Sequence, residues 1–169
     1  MATGDDADFA EFARARAGQL YRSAFLLCGD RQLAEDLVQE TFAKVYVAWR
    51  KRLAAPIDNP AAYAHTTLVR THISARRRRS STERPSDRLP EQPATGPDSA
   101  LRLTLTQALA RLEPSDRALL VMRYLDDVSV ADTAEALGIS SGAVRNRSLR
   151  ALDRIRPLLG DVTFAELHA

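Results

Sequence analysis

A chain of 169 residues with 6% aromatic residues and a formal net charge of +2 holds one domain or two small ones, and excludes a large enzyme fold. Alanine, leucine and arginine dominate and no stretch alternates apolar and polar residues, so the expected fold class is all-α, without strands. The small net charge hides segregation, with Asp5, Asp6, Asp8 and Glu11 crowding the first turns and arginines gathered after Arg70 and after Arg145. Of the 24 basic residues all but Lys44 and Lys51 are arginine, a bias that suits bidentate contacts to phosphate and guanine but that a GC-rich genome also produces.

In chain order, the periodicity predicts helices over about 7–27, 31–50 and 60–79, then over about 99–111, 115–125, 130–137 and 141–156. The opening MATGDDADFAEF has no basic leader followed by an apolar core, and no apolar run approaches the roughly 18 residues that span a bilayer, so a cytoplasmic protein with no membrane partner is expected. The single cysteine, Cys28, has no Cys or His cluster around it, so a buried small hydrophobe is expected there and neither metal nor cofactor.

The second helix is two-faced. Ala34, Leu37, Val38, Thr41, Phe42, Val45, Ala48 and Trp49 share the i, i+3, i+4, i+7 stripe of a core-facing helix, and Asp30 is placed to cap its N-terminus. Asp36, Gln39 and Glu40 then point outward, either as a docking surface or as a solvated acidic face. In the third helix, opened by Asn59 and Pro60, Tyr63, Thr66, Thr67, Arg70, Ser74 and Arg77 fall on one side. Ala61, Leu68, Val69, Ile73 and Ala75 mostly line the other, with His65 and His72 beside them as packing or hydrogen-bonding residues. An aromatic, hydroxyls and arginines suit a single strand or a phosphate backbone; a generic basic patch running to Arg76–Arg79 fits the same residues.

From Ser80 to Asp98, SSTERPSDRLPEQPATGPD has four prolines and almost no large apolar residue, which reads as a linker. If flexible, its 19 residues span about 25 Å on average. The domain organisation is therefore 1–79, a Pro-rich linker 80–98, and 99–169. Beyond the linker, Glu113-Pro114-Ser115 starts a helix whose Leu119, Leu120, Met122 and Leu125 are expected in the core. SVADTAEALGISSGAVRNRSLRALDRIR then carries helix-turn-helix signals: a small Ala134 at the crossing, Gly138 at the turn, Ile139 as a plug and Ser140 as cap. Val144, Ser148, Ala151, Leu152 and Ile155 share one side of the last helix, leaving Ala143, Asn146, Arg147, Arg150 and Arg154 on the other, with Ser141, Gly142 and Arg145 at its mouth. Five arginines against one aspartate over 141–156 favour DNA binding, with Asn or Arg near base edges and distal arginines on phosphate.

Taken together, AEDLVQETFAKVYVAW, NPAAYAHTTLVRTHISARRRR and LARLEPSDRALLVMRYLDDVSVADTAEALGISSGAVRNRSLRAL resemble bacterial RNA polymerase sigma factors of the extracytoplasmic-function type. The similarity is to the two-domain form with regions 2 and 4, in the actinobacterial SigE branch. The resemblance implies two small helical domains on a flexible linker. It also implies a non-enzymatic subunit that binds core RNA polymerase, directs it to promoters and promotes melting. By resemblance, Asp36, Gln39 and Glu40 dock on the β′ coiled coil, with the β subunit a further contact. Tyr63, Thr66, Thr67, Arg70, Ser74 and Arg77 face the minus-ten element, and the loop RLAAPIDN resembles one that captures an extruded base. Ser141, Gly142, Ala143, Arg145, Asn146, Arg147 and Arg150 face the minus-thirty-five element. Arg70 stands where many members carry Asn, and Ser148 where many carry Leu. An anti-sigma factor is a partner the resemblance leaves open, and the closing DVTFAELHA is too short for a third domain. The alternative is a stand-alone helix-turn-helix regulator that binds operator DNA without polymerase; it leaves the Asp36, Gln39, Glu40 face unexplained. An enzyme has no support from a catalytic triad, a phosphate loop or metal-ligand spacing.

Overall fold

The computed structural model describes residues 2–51, 57–80 and 97–160. Among these, every regular element is helical: α1 (Ala2–Cys28), α2 (Arg31–Lys51), α3 (Pro60–Ser80), α4 (Pro97–Ala110), α5 (Pro114–Leu120), α6 (Val130–Leu137) and α7 (Ser141–Leu159). The expected helices are all present. Most of the linker, part of the RLAAPIDN loop and the DVTFAELHA tail lie outside the described residues.

In the first half, α1 ends at Gly29, whose φ of 68° turns the chain toward α2 at no steric cost. Asp30 then caps α2 as expected, its Oδ1 accepting from the Leu33 amide at 2.9 Å. The expected stripe of α2 faces inward: Ala34, Leu37, Val38, Thr41, Val45 and Trp49 are buried, with Phe42 half-buried against them. They meet Leu20, Ala24 and Leu27 of α1 and Leu68 and Val69 of α3. Each fully buried leucine contributes about 2 kcal/mol of transfer free energy. α1 begins five residues before the expected start because its acidic first turns are tied to the end of α2. Asp5 Oδ1 accepts from Trp49 Nε1 at 3.1 Å, and Asp6 Oδ1 accepts from the Tyr46 hydroxyl at 2.9 Å. Phe9 and Phe12 complete that corner, with Phe12 5.2 Å from the Trp49 ring centroid.

In the second half, Pro114 occupies the first turn of α5, where its missing N–H costs nothing. The helix expected over 115–125 does not keep one pitch. At Val121–Leu125 it widens into a π turn, closed by the Asp126 amide on the Val121 carbonyl at 3.0 Å. Leu119, Leu120 and Met122 are buried as expected, while Leu125 is half-buried and packs on the core.

The two halves pack against each other. Apolar residues of all seven helices form one contiguous core, and polar groups cross the seam between them. Ser23 of α1 donates to Asp126 Oδ1 at 2.6 Å, and His65 Nδ1 of α3 lies 2.9 Å from Asp126 Oδ2. The Arg117 guanidinium of α5 donates to the carbonyls of Leu109 and Ala110, at the end of α4, and of Leu27, at the end of α1. Cations are favoured at helix C-termini, where unsatisfied carbonyls carry the negative end of the dipole.

Candidate polymerase and nucleic-acid interface

Because the apolar stripe of α2 is used by the core, its opposite face is left to solvent. Asp36, Gln39 and Glu40 are all exposed there. Gln32 Nε2 donates to Asp36 Oδ1 at 3.1 Å, and Glu40 pairs with Lys44 at 3.0 Å and more loosely with Arg78 of α3 at 3.9 Å. Such exposed pairs are worth at most about 1 kcal/mol, so breaking them costs little. A cleft runs between α2 and α3 with Asp36 and Glu40 on one wall and Arg76 and Arg79 on the other. The sequence had placed those two arginines only in a generic basic run. Cys28 and His72 also line the cleft, with Cys28 Sγ 3.7 Å from His72 Nδ1. Burial pushes the Cys28 thiol up to about 12. Burial, then Arg76, Arg117 and Arg79, hold the His72 imidazole down to about 4. Both groups are therefore neutral near pH 7; His72 is buried as expected of a packing residue, whereas Cys28, expected to be buried, is half-buried at the cleft wall.

α3 presents its polar side as the periodicity predicts. Asn59 caps it through the Ala62 amide at 3.1 Å. Tyr63, Arg70, Ser74 and Arg77 are exposed and Thr66 and Thr67 half-buried. The Thr67 hydroxyl is spent on the Tyr63 carbonyl at 2.7 Å, and Arg70 Nη2 lies 3.3 Å from Glu135 Oε1 of α6. His65 and His72 are buried.

The helix-turn-helix is built by local chemistry. Ser129 caps α6, its Oγ accepting from the Asp132 amide at 3.0 Å. Gly138 ends that helix at φ 66°, a left-handed position that suits glycine. Ser140 caps α7 through the Ala143 amide at 3.1 Å. Val144, Ser148, Ala151, Leu152 and Ile155 are all buried, and the Ser148 hydroxyl is satisfied by the Val144 carbonyl at 2.6 Å. Gly142, Arg145, Asn146 and Arg150 are exposed, and Ser141 and Ala143 half-buried. Arg147 differs from its neighbours. Its Nε and Nη2 donate to Asp116 Oδ1 at 2.9 and 2.5 Å, and Nη2 also to Ser115 Oγ at 2.6 Å. The side chain is tied to α5 rather than presented with Asn146 and Arg150.

An exposed acidic face on one three-helix unit and an arginine-faced helix-turn-helix on a second are the features of a transcription factor of the sigma type. Residues 12–82 match the Sigma-70 region 2 family model and residues 102–155 the Sigma-70 region 4 model. The chain is 35% identical to the RNA polymerase sigma-E factor of Streptomyces coelicolor over 90% of its own length and 86% of that protein. It is 36% identical to the ECF RNA polymerase sigma factor ShbA of Streptomyces griseus, over 78% of this chain and 75% of that one. The chain belongs to the extracytoplasmic-function RNA polymerase sigma factors of the sigma-70 family. Among solved structures it is similar to the sigma factor RpoE in complex with the anti-sigma factor NepR from Bartonella quintana. That match has a TM-score of 0.67 and 25% identity over 90% of this chain and 96% of the other. CnrH in complex with the cytosolic domain of CnrY shares the fold, with a TM-score of 0.64 and 20% identity over 94% and 91% of the two chains.

Proposed function

We propose that this sigma factor binds core RNA polymerase through Asp36, Gln39 and Glu40, the face turned toward the β′ coiled coil, with the β subunit a further contact. The polar side of α3, from Tyr63 through Thr66, Thr67, Arg70 and Ser74 to Arg77, contacts the minus-ten element and stabilises its melted strand. The exposed face of α7, with Arg145, Asn146 and Arg150 beside Ser141, Gly142 and Ala143, reads the minus-thirty-five element. Arg147 acts by holding α7 to α5 rather than by touching a base. The functional division is 1–79, 80–98 and 99–169.

The observation that carries this reading is the coexistence, in one chain, of a region 2 match over 12–82 and a region 4 match over 102–155. A stand-alone operator-binding regulator needs only the second. The protein is non-enzymatic and works in the cytoplasm, where its polymerase is; no helix among the described residues is long and apolar enough to cross a membrane. An anti-sigma factor is a fitting regulator, given the complexes in which RpoE and CnrH are seen. The test mixes purified protein with cognate core polymerase and genomic fragments. A stable complex that initiates from fragments core alone ignores supports the reading. No complex, with direct binding to duplex DNA, overturns it in favour of the regulator.

A further inference from the structure

Down the middle of the exposed face of α2, acidic residues give way to apolar ones and these to a cation. At about 100° and about 1.5 Å per residue, Ala43 and Val47 lie within about 20° of Asp36, at about 10 and about 16 Å along the axis, and Arg50 within about 40° at about 21 Å. All three are exposed. Val47 is 52% exposed, more than any other large apolar side chain described in the first half. A lone exposed valine is ordinary. One that continues Ala43 on the centre line of the Asp36, Gln39, Glu40 face makes an apolar strip between two charged ends, the pattern of an interface core with a polar rim.

Arg50 is held in place at the end of that strip. Its Nη1 donates to the Tyr46 hydroxyl at 3.3 Å, and its guanidinium carbon sits 5.8 Å from the Tyr46 ring centroid. The same hydroxyl donates to Asp6 Oδ1 at 2.9 Å, and the Tyr46 ring centroid lies 5.0 Å from that of Phe9. A phenol donates to a carboxylate while accepting from a guanidinium, so the three groups form a relay from α1 to the surface of α2. Fixing a long cationic side chain in the free protein removes part of the ordering cost that binding a partner otherwise carries. Asp6 precedes the 12–82 match to region 2, so this support comes from outside the matched unit.

We infer that the surface of α2 that binds core polymerase runs on from Asp36, Gln39 and Glu40 through Ala43 and Val47 to Arg50, and that Asp6 is a positioning residue acting on Arg50 through Tyr46. The occupant is the β′ coiled coil already assigned to the acidic end, with which the strip is continuous. Its complementary surface carries a cation or donor, then an apolar side chain, then a carboxylate, over about 21 Å or about four turns of helix. The inference rests on the assignment of the acidic end to core polymerase.

Dye-labelled full-length protein is titrated with core polymerase, and each variant is melted thermally as a check on folding. Val47→Asp, which sets a charge in the apolar strip without touching the core, is expected to weaken binding about tenfold or more at an unchanged melting temperature. Arg50→Glu is expected to weaken it about tenfold, and less at high salt. Asp6→Ala is expected to cost about threefold in the wild-type chain and nothing in an Arg50→Ala background, and Tyr46→Phe, which keeps the ring, to match it. If Arg50 serves only the negative end of the α2 dipole, Arg50→Glu lowers the melting temperature and leaves affinity alone, which overturns the inference. Unchanged affinity in Val47→Asp also overturns it; where Asp36→Ala with Gln39→Ala still weakens binding, the proposed function stands at its acidic end. An Asp6→Ala loss that persists in full in the Arg50→Ala background overturns the positioning role. Failure of the wild-type chain to bind core overturns the proposed function instead. Should Val47→Asp fail to fold, Val47→Ser and Arg50→Glu decide between the same outcomes.

Discussion

Arg147 of α7 closes on Asp116 of α5, with Nε 2.9 Å from Oδ1 and Ser115 Oγ taking a further bond from Nη2. Arg154 reaches the other carboxylate oxygen at 3.7 Å. α7 is thus pinned to α5 by one buried carboxylate and two arginines.

Arg147→Ala is therefore expected to lower stability rather than change base preference. Breaking a buried pair costs about 3–5 kcal/mol, and a loss of about 1–2 kcal/mol is expected here because the arginine side chain is about one-third exposed. Urea denaturation of the variant measures it. A shifted promoter motif at unchanged stability would return Arg147 to the DNA-reading set.

Arg150 and Asn146, exposed on the same helix, are expected to divide the work. Arg150→Ala should weaken promoter binding across sequences and reduce the slope of log affinity against log salt by about one, whereas Asn146→Ala should relax preference at one base pair, worth about 1–3 kcal/mol. Binding of the holoenzyme to promoter variants at several salt concentrations separates the two.

The paired change Asp36→Ala with Gln39→Ala should weaken binding to core polymerase while leaving the melting temperature unchanged, since both side chains are exposed and outside the core. Titration of labelled protein with core polymerase, alongside a thermal melt, checks both halves of the statement. Unaltered affinity would remove these residues from the docking face.

His72 sets an acid limit on stability. Its folded value, about 4, lies below the ordinary histidine value of about 6.5. The unfolded chain therefore binds the proton more readily between these values. The contribution is fully present above about pH 6.5 and is lost as pH falls toward 4, up to about 3 kcal/mol. His72→Gln should flatten stability against pH in that window, measured by denaturant midpoints at pH 4.5 and 7. The neighbouring Cys28, pushed up to about 12, holds its proton, so it should react slowly with a disulfide reagent at pH 8 until denaturant is added.

The elements that depend on neighbours in sequence were legible: the α2 stripe, the Asp30 and Ser140 caps, Gly138 at its left-handed turn, and the buried side of α7 from Val144 to Ile155. Periodicity and capping act over a few residues, and nothing in the fold overrides them. The position of Arg147 was not legible, because helical spacing puts it beside Arg150 and only a carboxylate 31 residues away pulls it aside. The junction at Asp126 was hidden for the same reason, its partner Ser23 being 103 residues distant. The π turn that precedes Asp126 leaves no mark in the apolar pattern. The early start of α1 required knowing that Trp49 and Tyr46 would meet Asp5 and Asp6.

The Arg117 fork is divided unequally across the seam. Of its three carbonyl partners, Leu109 and Ala110 travel with α5 in the second half and only Leu27 belongs to the first. One side chain thus bridges the end of α1 to the end of α4, and Arg117→Ala would leave three carbonyls without this donor while removing one bond across the seam.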